Sequence, residues 1–560
     1  MGSISGNKIL YLAGFGAVLF FLGVFFGCAG IDLLINYQIK KSLVLEEGSP
    51  GLATFKKTPF PLEFKIYLFN ITNPEEIMNG GKPVVAEVGP YVYDLWKEKP
   101  DLVFLPDGTL EYNLTSRLFF NQEKSGNLRT TDVFLALNIP LLGTATTVEQ
   151  TFPMGLVFLN NAIPFLFPNI TDIFMTATVG EILFDGVTIK CNYSSGPAMP
   201  ICNGLKGRAP ATMWRLDTKD YKFALFRPKN TSVEGPFKVL SGRDDISQVG
   251  RIIEYKNKNK LTAWDKNSSC ATIDGTDSTI FGPQKTPHEE IQMFSPDLCL
   301  TFKTTYINSS TINKVPVDLF YAAESNMASS QKEPANECRC VKDDDGIKHC
   351  LKDGVIDASP CQGAQVIFSN PHFLDADPEY QNGVDGLKPD ATKHTTFVYQ
   401  EPKTGAPLEG RKRMQMSLKV KKIEGITILE NITERLIPIL WIEEGTRLEG
   451  PLLGELHQLY HIIGLLETLK WLLMAAGLLI VAIAIVLYLK VRGLACFSGT
   501  MLVTPVDNVP GQKMNTFGVT NQGSDDYEGG PNFGIYPKLA ASQNKNGDIV
   551  SPTSHPQQIR

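Results

Sequence analysis

The sequence lacks an excess of positive charge and lacks the motifs of common enzyme classes. Its 53 lysines and arginines are outnumbered by 59 aspartates and glutamates, which gives a net charge of −6. Nucleic-acid-binding domains carry a basic face, so we predict no nucleic-acid partner. The sequence contains no G-x-S-x-G elbow, Walker A loop, dinucleotide-binding glycine fingerprint or H-E-x-x-H motif. We therefore predict a protein that is not an enzyme and uses no cofactor.

The cysteine-rich stretch CRCVKDDDGIKHC, residues 338–350, suggests a metal site but lacks the spacing of one. A calcium-binding EF-hand loop with Gly346 at its sixth position would begin at Val341 and end at Lys352, and neither side chain is a calcium ligand. Structural zinc sites separate paired cysteines by two to four residues, whereas one residue separates the first pair here. We predict no metal site in this stretch.

Two long runs contain no charged residue. Ile9–Ile31 has 23 residues and Trp471–Leu489 has 19, and each is long enough to cross a hydrocarbon core of about 30 Å. The first run is longer than the apolar part of a signal peptide and has no clear cleavage site after it, so we predict that it is retained. Lys490 and Arg492 follow the second run directly and favour a cytoplasmic C-terminus.

These runs predict a two-pass membrane protein with both termini in the cytoplasm. The predicted parts are a cytoplasmic N-terminus (1–8), a first transmembrane helix (9–31), an extracellular domain (32–470), a second transmembrane helix (471–489) and a cytoplasmic tail (490–560). Eight N-x-[ST] glycosylation motifs all lie between the two runs, as an extracellular domain requires. They begin at Asn70, Asn113, Asn169, Asn192, Asn230, Asn267, Asn308 and Asn431.

The tail from residue 490 to residue 560 is rich in glycine, asparagine, proline, serine and glutamine, and we predict that it is disordered. Cys496, just past the second apolar run, is a candidate for palmitoylation. Tyr536 and Leu539 form a Y-x-x-Φ motif, the form of an endocytic signal.

An even number of cysteines lies between the apolar runs, where an oxidising compartment favours disulfides. They are Cys191, Cys202, Cys270, Cys299, Cys338, Cys340, Cys350 and Cys361. Cys338 and Cys340 cannot easily bridge each other across one residue, so separate partners are expected. Cys340 with Cys350, and Cys191 with Cys202, each bracket a short turn-rich loop and are plausible local pairs. The partners of the other four cysteines stay open at this point.

Apolar and polar residues alternate in many short segments separated by turn residues, a pattern typical of an antiparallel sheet or barrel. The segments are 61–72, 84–96, 110–120, 237–243, 250–256, 396–402 and 413–423. Residues 132–189 differ, because they combine long apolar stretches with five acidic residues and no lysine or arginine. Their periodicity favours short helices, so we predict a helical subdomain inserted in a β-rich domain.

Several stretches resemble the class B scavenger receptor family, which includes the fatty-acid translocase of platelets. They include VAEVGPYVYDLWKEK, FKVLSGRDDISQVGRI, CATIDGTDSTIFGP, CQGAQVIFSNPHFLDADP and LIPILWIEEGTRL, and the likeness runs over nearly all of residues 8–490. EEIMNGGKP, ILFDGVTIKC and the pair Cys191 and Cys202 are most similar to the insect sensory neuron membrane proteins.

The resemblance implies an α+β membrane protein with a large antiparallel β-barrel ectodomain, a helical apex at about 132–189 and an internal hydrophobic tunnel. It also implies disulfides Cys270–Cys338, Cys299–Cys361 and Cys340–Cys350. Hydrophobic lipid ligands, pheromone-like in the sensory branch, would pass through the tunnel toward the membrane and toward an odorant receptor in it. The expected entrance is formed by Phe152, Met154, Phe158, Phe165, Phe167 and Phe174.

The chain departs from the family pattern in three places, and at one of them Leu300 stands where an arginine commonly follows DLC. The apex has none of the lysines with which some family members capture anionic particles. The tail lacks the acidic di-leucine ending of the lysosomal integral membrane protein, another member of the family. We therefore predict residence in the plasma membrane. A scavenger or lipid-uptake receptor that feeds endocytosis is the alternative function. Gly23 and Gly27 are spaced for close approach of a second helix, and the oligomeric state stays open, a homo-oligomer included.

Overall fold

The computed structural model describes residues 6–342, 346–363 and 365–492. Several predictions lie outside these residues. They are the disordered tail beyond Arg492, the candidate modification at Cys496, the candidate signal at Tyr536 and Leu539, and the turn formed by Asp343–Asp345.

The helices include two long apolar ones near the two ends of the described chain. Their bounds are α1 Gly6–Phe25, α2 Ile31–Leu43, α3 Pro50–Lys56, α4 Pro74–Met78, α5 Gln122–Ser125, α6 Ile139–Thr151, α7 Leu156–Leu166, α8 Ala198–Leu205, α9 Arg227–Thr231, α10 Ser359–Gln362, α11 Pro378–Asn382, α12 Ala391–His394 and α13 Gly450–Val491. A π-helical segment, Phe26–Gly30, joins α1 to α2, so the first long helix runs from Gly6 to Leu43. This helix and α13 are long and apolar enough to cross a membrane, and both continue past the predicted apolar runs.

Glycines let α1 and α13 pack closely against each other. A Cβ atom at Gly477 would lie 2.5 Å from the backbone nitrogen of Phe20, and one at Gly23 would lie 2.6 Å from the side chain of Met474. A Cβ at Gly27 would meet only a lysine side chain, at 3.5 Å. The close approach expected at Gly23 is therefore made by the chain's own second membrane helix, and Gly27 takes little part in it.

The strands are β1 Leu62–Ile71, β2 Val85–Glu98, β3 Val103–Phe104, β4 Thr109–Phe120, β5 Val133–Leu137, β6 Phe174–Thr178, β7 Val187–Ile189, β8 Met213–Arg215, β9 Tyr221–Phe223, β10 Val233–Leu240, β11 Ile252–Tyr255, β12 Gln292–Ser295, β13 Leu300–Ile312, β14 Val315–Ala322, β15 Val341–Lys342, β16 Lys348–His349, β17 Val355–Asp357, β18 Ile367–Ser369, β19 Phe397–Gln400, β20 Pro407–Val420 and β21 Arg435–Arg447. Among the described residues, 14 strands form one sheet in the order β11-β10-β4-β2-β1-β21-β20-β19-β14-β13-β12, with β3, β17 and β18 attached at its sides. All its strand pairs are antiparallel, as the alternating segments predict.

A short connecting segment nearly closes this sheet into a barrel. The Ile252 amide at one edge donates to Gly275 O (2.8 Å), and the Phe294 amide at the other edge donates to Thr276 O (2.9 Å). Gly275 and Thr276 therefore span the gap between β11 and β12. We call this segment the seam. Gly275 has a φ of 82°, and a Cβ there would lie 2.5 Å from the backbone of Gln292, so the seam requires glycine at this position.

The apex combines helices with a small sheet, which corrects the expectation of a helical region throughout residues 132–189. Helices α6 and α7 lie between β5 and β6 in the chain, and these two strands pair with each other. Asn138 caps α6, since its side-chain oxygen accepts the Leu141 amide (3.2 Å). The apolar run VFLAL, residues 133–137, forms β5, because a short apolar run does not distinguish a buried strand from a helix.

The two ends of the barrel are defined by their contacts. Lys421, just after β20, pairs with Glu149 of α6 (2.9 Å), which places the carboxyl end of β20 at the apex. Leu408, near the start of the same strand, packs with Leu456 of α13. The Tyr460 hydroxyl of α13 also donates to Glu401 Oε1 (2.5 Å). The base of the barrel therefore packs against the start of α13, before its membrane-spanning part.

Candidate functional site: an apolar cavity with an internal charge cluster

A cavity of about 1870 Å³ has lining residues both at the apex and near the base of the barrel. Its lining includes Gly143 and Phe158 at the apex and Pro407 and Thr446 near the base. Pockets for small molecules usually have about 300–1,000 Å³, so this volume suits a long-chain molecule or more than one ligand.

One face of α6 forms the upper wall of the cavity. Pro140, Gly143, Thr144, Thr147 and Val148 all line it, and their spacing of three or four residues places them on the same side of the helix. Space is open around Gly143, because a Cβ atom there would meet nothing within 4 Å. A larger side chain at this position would project toward the cavity.

The break between α6 and α7 sets the position of Phe152. A residue before proline is pushed away from helical backbone angles, and Phe152, followed by Pro153, has φ −153° and ψ 69°. Phe152 and Phe158 are 54% and 58% exposed, and both also line the cavity. The cavity therefore meets the protein surface beside these two rings.

The other predicted entrance residues lie elsewhere. Met154 and Phe165 are exposed on the apex, where the Phe165 ring packs edge-on against Tyr193. Phe167 is half-buried against the core, and Phe174 is 5% exposed within it. The prediction that Phe174 belongs to the entrance is therefore corrected, because this side chain points into the core from β6.

Strand β20 provides an apolar wall below the apex. Met414, Met416 and Leu418 all line the cavity and are two residues apart, so they share one face of the strand. Lys412 is the next residue on this face toward the base and also lines the cavity. Leu62 and Leu95 add apolar surface from neighbouring strands.

Five of the charged side chains that line the cavity interact electrostatically with one another around Lys412. They are Lys97, Lys229, Lys412, Asp297 and Glu444, which we call the lumen cluster. Lys97 pairs with Glu444 (2.5 Å), and Lys229 pairs with Asp297 (2.7 Å). Burial alone would raise the pKa of Glu444 and of Asp297, but the surrounding lysines lower both to about 2. Both carboxylates are therefore ionised.

The sequence did not predict the lumen cluster. Its members come from separate segments, and Lys97 and Glu444 are 347 residues apart along the chain. The one local signal is that Lys412 shares a strand face with two methionines and a leucine, where an apolar residue would be ordinary.

A second cluster, of two buried histidines and one exposed glutamate, joins the outer loops to the sheet. Glu87, His372 and His394 place potential ligand atoms within 4.8 Å of one another. His372 Nε2 and the Trp441 indole both hydrogen-bond to Glu87 Oε2 at 2.6 Å, and the Lys388 amide donates to His372 Nδ1. These bonds use both ring nitrogens of His372 and one oxygen of Glu87, so we interpret the cluster as a structural hydrogen-bond network. Burial, together with the nearby His372, lowers the pKa of His394 to about 4.

Four disulfides link the eight cysteines between the membrane helices. Cys191 bonds to Cys202, Cys270 to Cys338, Cys299 to Cys361 and Cys340 to Cys350. The last three are the pairs that the family resemblance implies, and the first is the local pair favoured by its loop. The pair Cys340 and Cys350 closes the β15–β16 hairpin.

The glycosylation motifs lie mostly at accessible positions. Asn169, Asn192, Asn230, Asn267, Asn308 and Asn431 are exposed, while Asn70 and Asn113 are half-buried on strands. The side-chain oxygen of Asn70 accepts a hydrogen bond from the Leu135 amide (3.0 Å). The six exposed asparagines are the more accessible glycan acceptors.

Comparison with known proteins agrees with this architecture. The CD36 family, the class B scavenger receptors, matches residues 14–488. Sensory neuron membrane protein 2 of Manduca sexta is 33% identical over 479 residues, covering 84% of this chain and 92% of that protein. Sensory neuron membrane protein 1 of Apis mellifera is 32% identical over 477 residues, covering 85% of this chain and 90% of that protein. The chain therefore belongs to the CD36 family, as a membrane receptor related to the insect sensory neuron membrane proteins.

Proposed function

We propose that the protein is a chemosensory lipid receptor that takes up a hydrophobic, pheromone-like ligand at the apex and conducts it through the cavity toward the membrane. The observation that carries this proposal is the cavity itself, which reaches the surface beside Phe152 and Phe158 and extends to the base near Thr446. The ligand moves without covalent chemistry, and an odorant receptor in the same membrane is the proposed recipient. The relatives named for sensory neurons support the sensory setting.

An internal path serves a lipid for a physical reason. Each methylene group exposed to water costs about 0.8 kcal/mol, so a long chain crosses a water layer slowly. The apolar wall of β20 and the aromatic rings at the apex provide apolar contact in the part of the cavity nearer the apex. The proposed orientation in the plasma membrane places both termini in the cytoplasm and the barrel outside, which also exposes the glycosylation motifs to the glycosylating compartment.

Blocking the cavity tests this function. In Gly143→Trp a large ring would enter the upper cavity without a clash at the Cβ atom. Transfer of a fluorescent long-chain fatty alcohol from the medium into cells should fall severalfold while surface expression stays unchanged. Gly143→Ala is the size control, and Val157→Trp adds the same ring on the exposed apex, at a position 61% exposed and outside the cavity lining. Unchanged transfer in Gly143→Trp would refute conduction through the cavity.

The same variants separate the two functional settings. Co-expression with an odorant receptor should show a receptor response that depends on the open cavity. Uptake into endosomes without any effect on an odorant receptor would instead support the alternative role in lipid uptake.

A further inference from the structure

Strand β13 has one side that lacks a neighbouring strand over most of its length. Residues 300–303 pair with β12 on that side, and residues 304–312 pair with β14 on the opposite side. Within the residues that the structure describes, no strand pairs with the remaining side of residues 305–312, which we call the free edge. An antiparallel strand directs the backbone groups of alternate residues away from its partner. The free edge therefore presents unpaired N–H and C=O groups to solvent.

The chain that enters β12 does not continue along the free edge. The Thr304 amide donates to Ile291 O (3.1 Å), and Ile291 directly precedes β12. Farther back along the chain, the His288 ring stacks on the Tyr306 ring with 3.8 Å between the ring centres. This is a contact between side chains, and in the described chain no backbone hydrogen bond from this segment reaches residues 305–312.

The free edge lacks most of the features that protect an exposed strand. Natural proteins protect such edges with charged side chains, proline or bulges, because an open edge is a template for pairing with another chain. Residues 305–312 read TYINSSTI and contain no charged residue and no proline, and none of them is buried. A shift in register places a bulge at Ile307, so the regular part of the free edge begins at Asn308.

A glycosylation motif lies at the start of this regular part. It is the N-S-S motif at residues 308–310. Asn308 is exposed, and among the described residues none forms a hydrogen bond with its side chain. The neighbouring Ser309 hydroxyl donates to Asp318 Oδ1 (2.6 Å), which ties the middle of the motif to β14. The acceptor nitrogen of Asn308 is therefore available for a glycan.

The free edge lies clear of the membrane. The carbonyl of Asn313, in the turn after β13, accepts a hydrogen bond from His457 Nε2 of α13 (2.6 Å). His457 precedes the apolar run that starts at Trp471 by about 21 Å along the helix, at a rise of about 1.5 Å per residue. Asn308 lies farther up the strand from this turn. A glycan and a second chain therefore both have access to the free edge.

We propose that an N-linked glycan on Asn308 covers the free edge and prevents another chain from adding a strand to the barrel there. An added strand would have to run directly beside residues 308–312. The glycan is bulky and solubilising, so it excludes such a strand sterically while the unpaired backbone groups keep their contact with water. The inference requires the barrel to lie outside the cytoplasm, but it does not depend on conduction of a lipid through the cavity.

The particle mass of the full-length protein in detergent micelles tests this shield. Asn308→Gln and Ser310→Ala each remove the glycan, and the second variant keeps the asparagine side chain. Both should form larger particles than the wild type, with a mass that rises with concentration. Amides at residues 305–312 should then exchange more slowly with deuterium, because an added strand bonds them. Asn431→Gln removes a glycan from an exposed turn before β21 and is the matched control, which should keep the wild-type mass.

A compensating variant separates the free edge from a general loss of solubility. Ile307→Lys in the Asn308→Gln background places a charge on the free edge, the protection that other edge strands use. It should restore the wild-type mass although the glycan is still absent. An unchanged mass in both Asn308→Gln and Ser310→Ala would overturn the shield. Larger particles in which residues 305–312 exchange as fast as in the wild type would overturn it as well.

Mass spectrometry of the wild-type glycopeptides distinguishes a failure of the shield from a failure of the proposed orientation. An occupied Asn308 supports the shield. An unoccupied Asn308 beside an occupied Asn431 would overturn the shield alone. If none of the motifs carried a glycan, the extracellular placement of the barrel would fail together with the shield.

Discussion

A buried ion pair lies beside the seam, and we expect its loss to open the barrel there. Lys99 and Asp277 are 1% and 6% exposed, with Nζ and Oδ2 2.8 Å apart. The Lys99 ammonium also donates to Thr279 Oγ1 (2.7 Å) and lies 3.4 Å from the centre of the Phe55 ring. Asp277 is one residue past the seam, so this pair holds the closing segment against β2 and its neighbours.

Replacing the lysine should destabilise the protein strongly. In Lys99→Met the Asp277 carboxylate would stay buried without its counter-ion, a change that typically costs about 3–5 kcal/mol. Burial would then raise the pKa of Asp277, which Lys99, Thr279 and Tyr112 now hold at about 2. The double variant Lys99→Met/Asp277→Asn should recover part of the loss, because it removes the uncompensated charge.

The measurement is unfolding of the full-length protein in nanodiscs, combined with hydrogen exchange at the seam. Lys99→Met should lose amide protection first at Ile252 and Thr276, whose backbone hydrogen bonds form the seam. The control is Lys57→Met, since Lys57 pairs with Glu98 at 2.6 Å on the surface, with 60% and 39% exposure, where pairs contribute about 0–1 kcal/mol. Equal effects of the two single variants, or a double variant as unstable as Lys99→Met, would refute the reasoning.

Three further predictions concern the membrane helices and pH. Gly477→Leu should separate the two membrane helices and reduce engineered disulfide cross-linking between them, whereas Gly464→Leu should not, because only the first position lacks room for a Cβ atom. Tyr460→Phe should remove the hydrogen bond to the buried Glu401 and lower stability by about 1.5–3 kcal/mol, and an unchanged melting temperature would contradict this. His394 is neutral in the fold down to a pKa of about 4, so the unfolded chain binds more protons between about pH 4 and 6.5 and stability should fall by roughly 2–3 kcal/mol as pH drops through that window. His394→Gln should flatten this dependence.

The fold follows largely from local patterns in the sequence. Each of the seven alternating segments overlaps a strand of the large sheet, because a half-buried strand exposes alternate residues. Strand β13 was not predicted, since most of its residues from Thr305 to Thr311 are polar and exposed and give no two-residue period. Strand β21 was not predicted either, because it is buried on both faces and reads as a continuous apolar run.

The site follows from the sequence much less. The apolar residues from Phe152 to Phe174 predict a packed region, but the sequence does not indicate which rings face the cavity. For Phe152 the orientation is set by the break between the helices at Pro153. Charges such as Lys97 and Glu444 meet only because β2 and β21 lie on either side of β1. Pairing between distant strands fixes such contacts, and one sequence does not encode that register locally.

The methionine-rich wall of the cavity has a chemical consequence. Met213, Met293, Met327, Met414 and Met416 all line the cavity. Thioethers are soft and adaptable and fit hydrocarbon chains of varied shape, but they are also the apolar side chains most readily oxidised. Conversion of Met414 or Met416 to the sulfoxide would place a strong dipole on the apolar wall of the cavity. Sensitivity to oxidants is therefore expected of the same cavity surface that the methionines make adaptable.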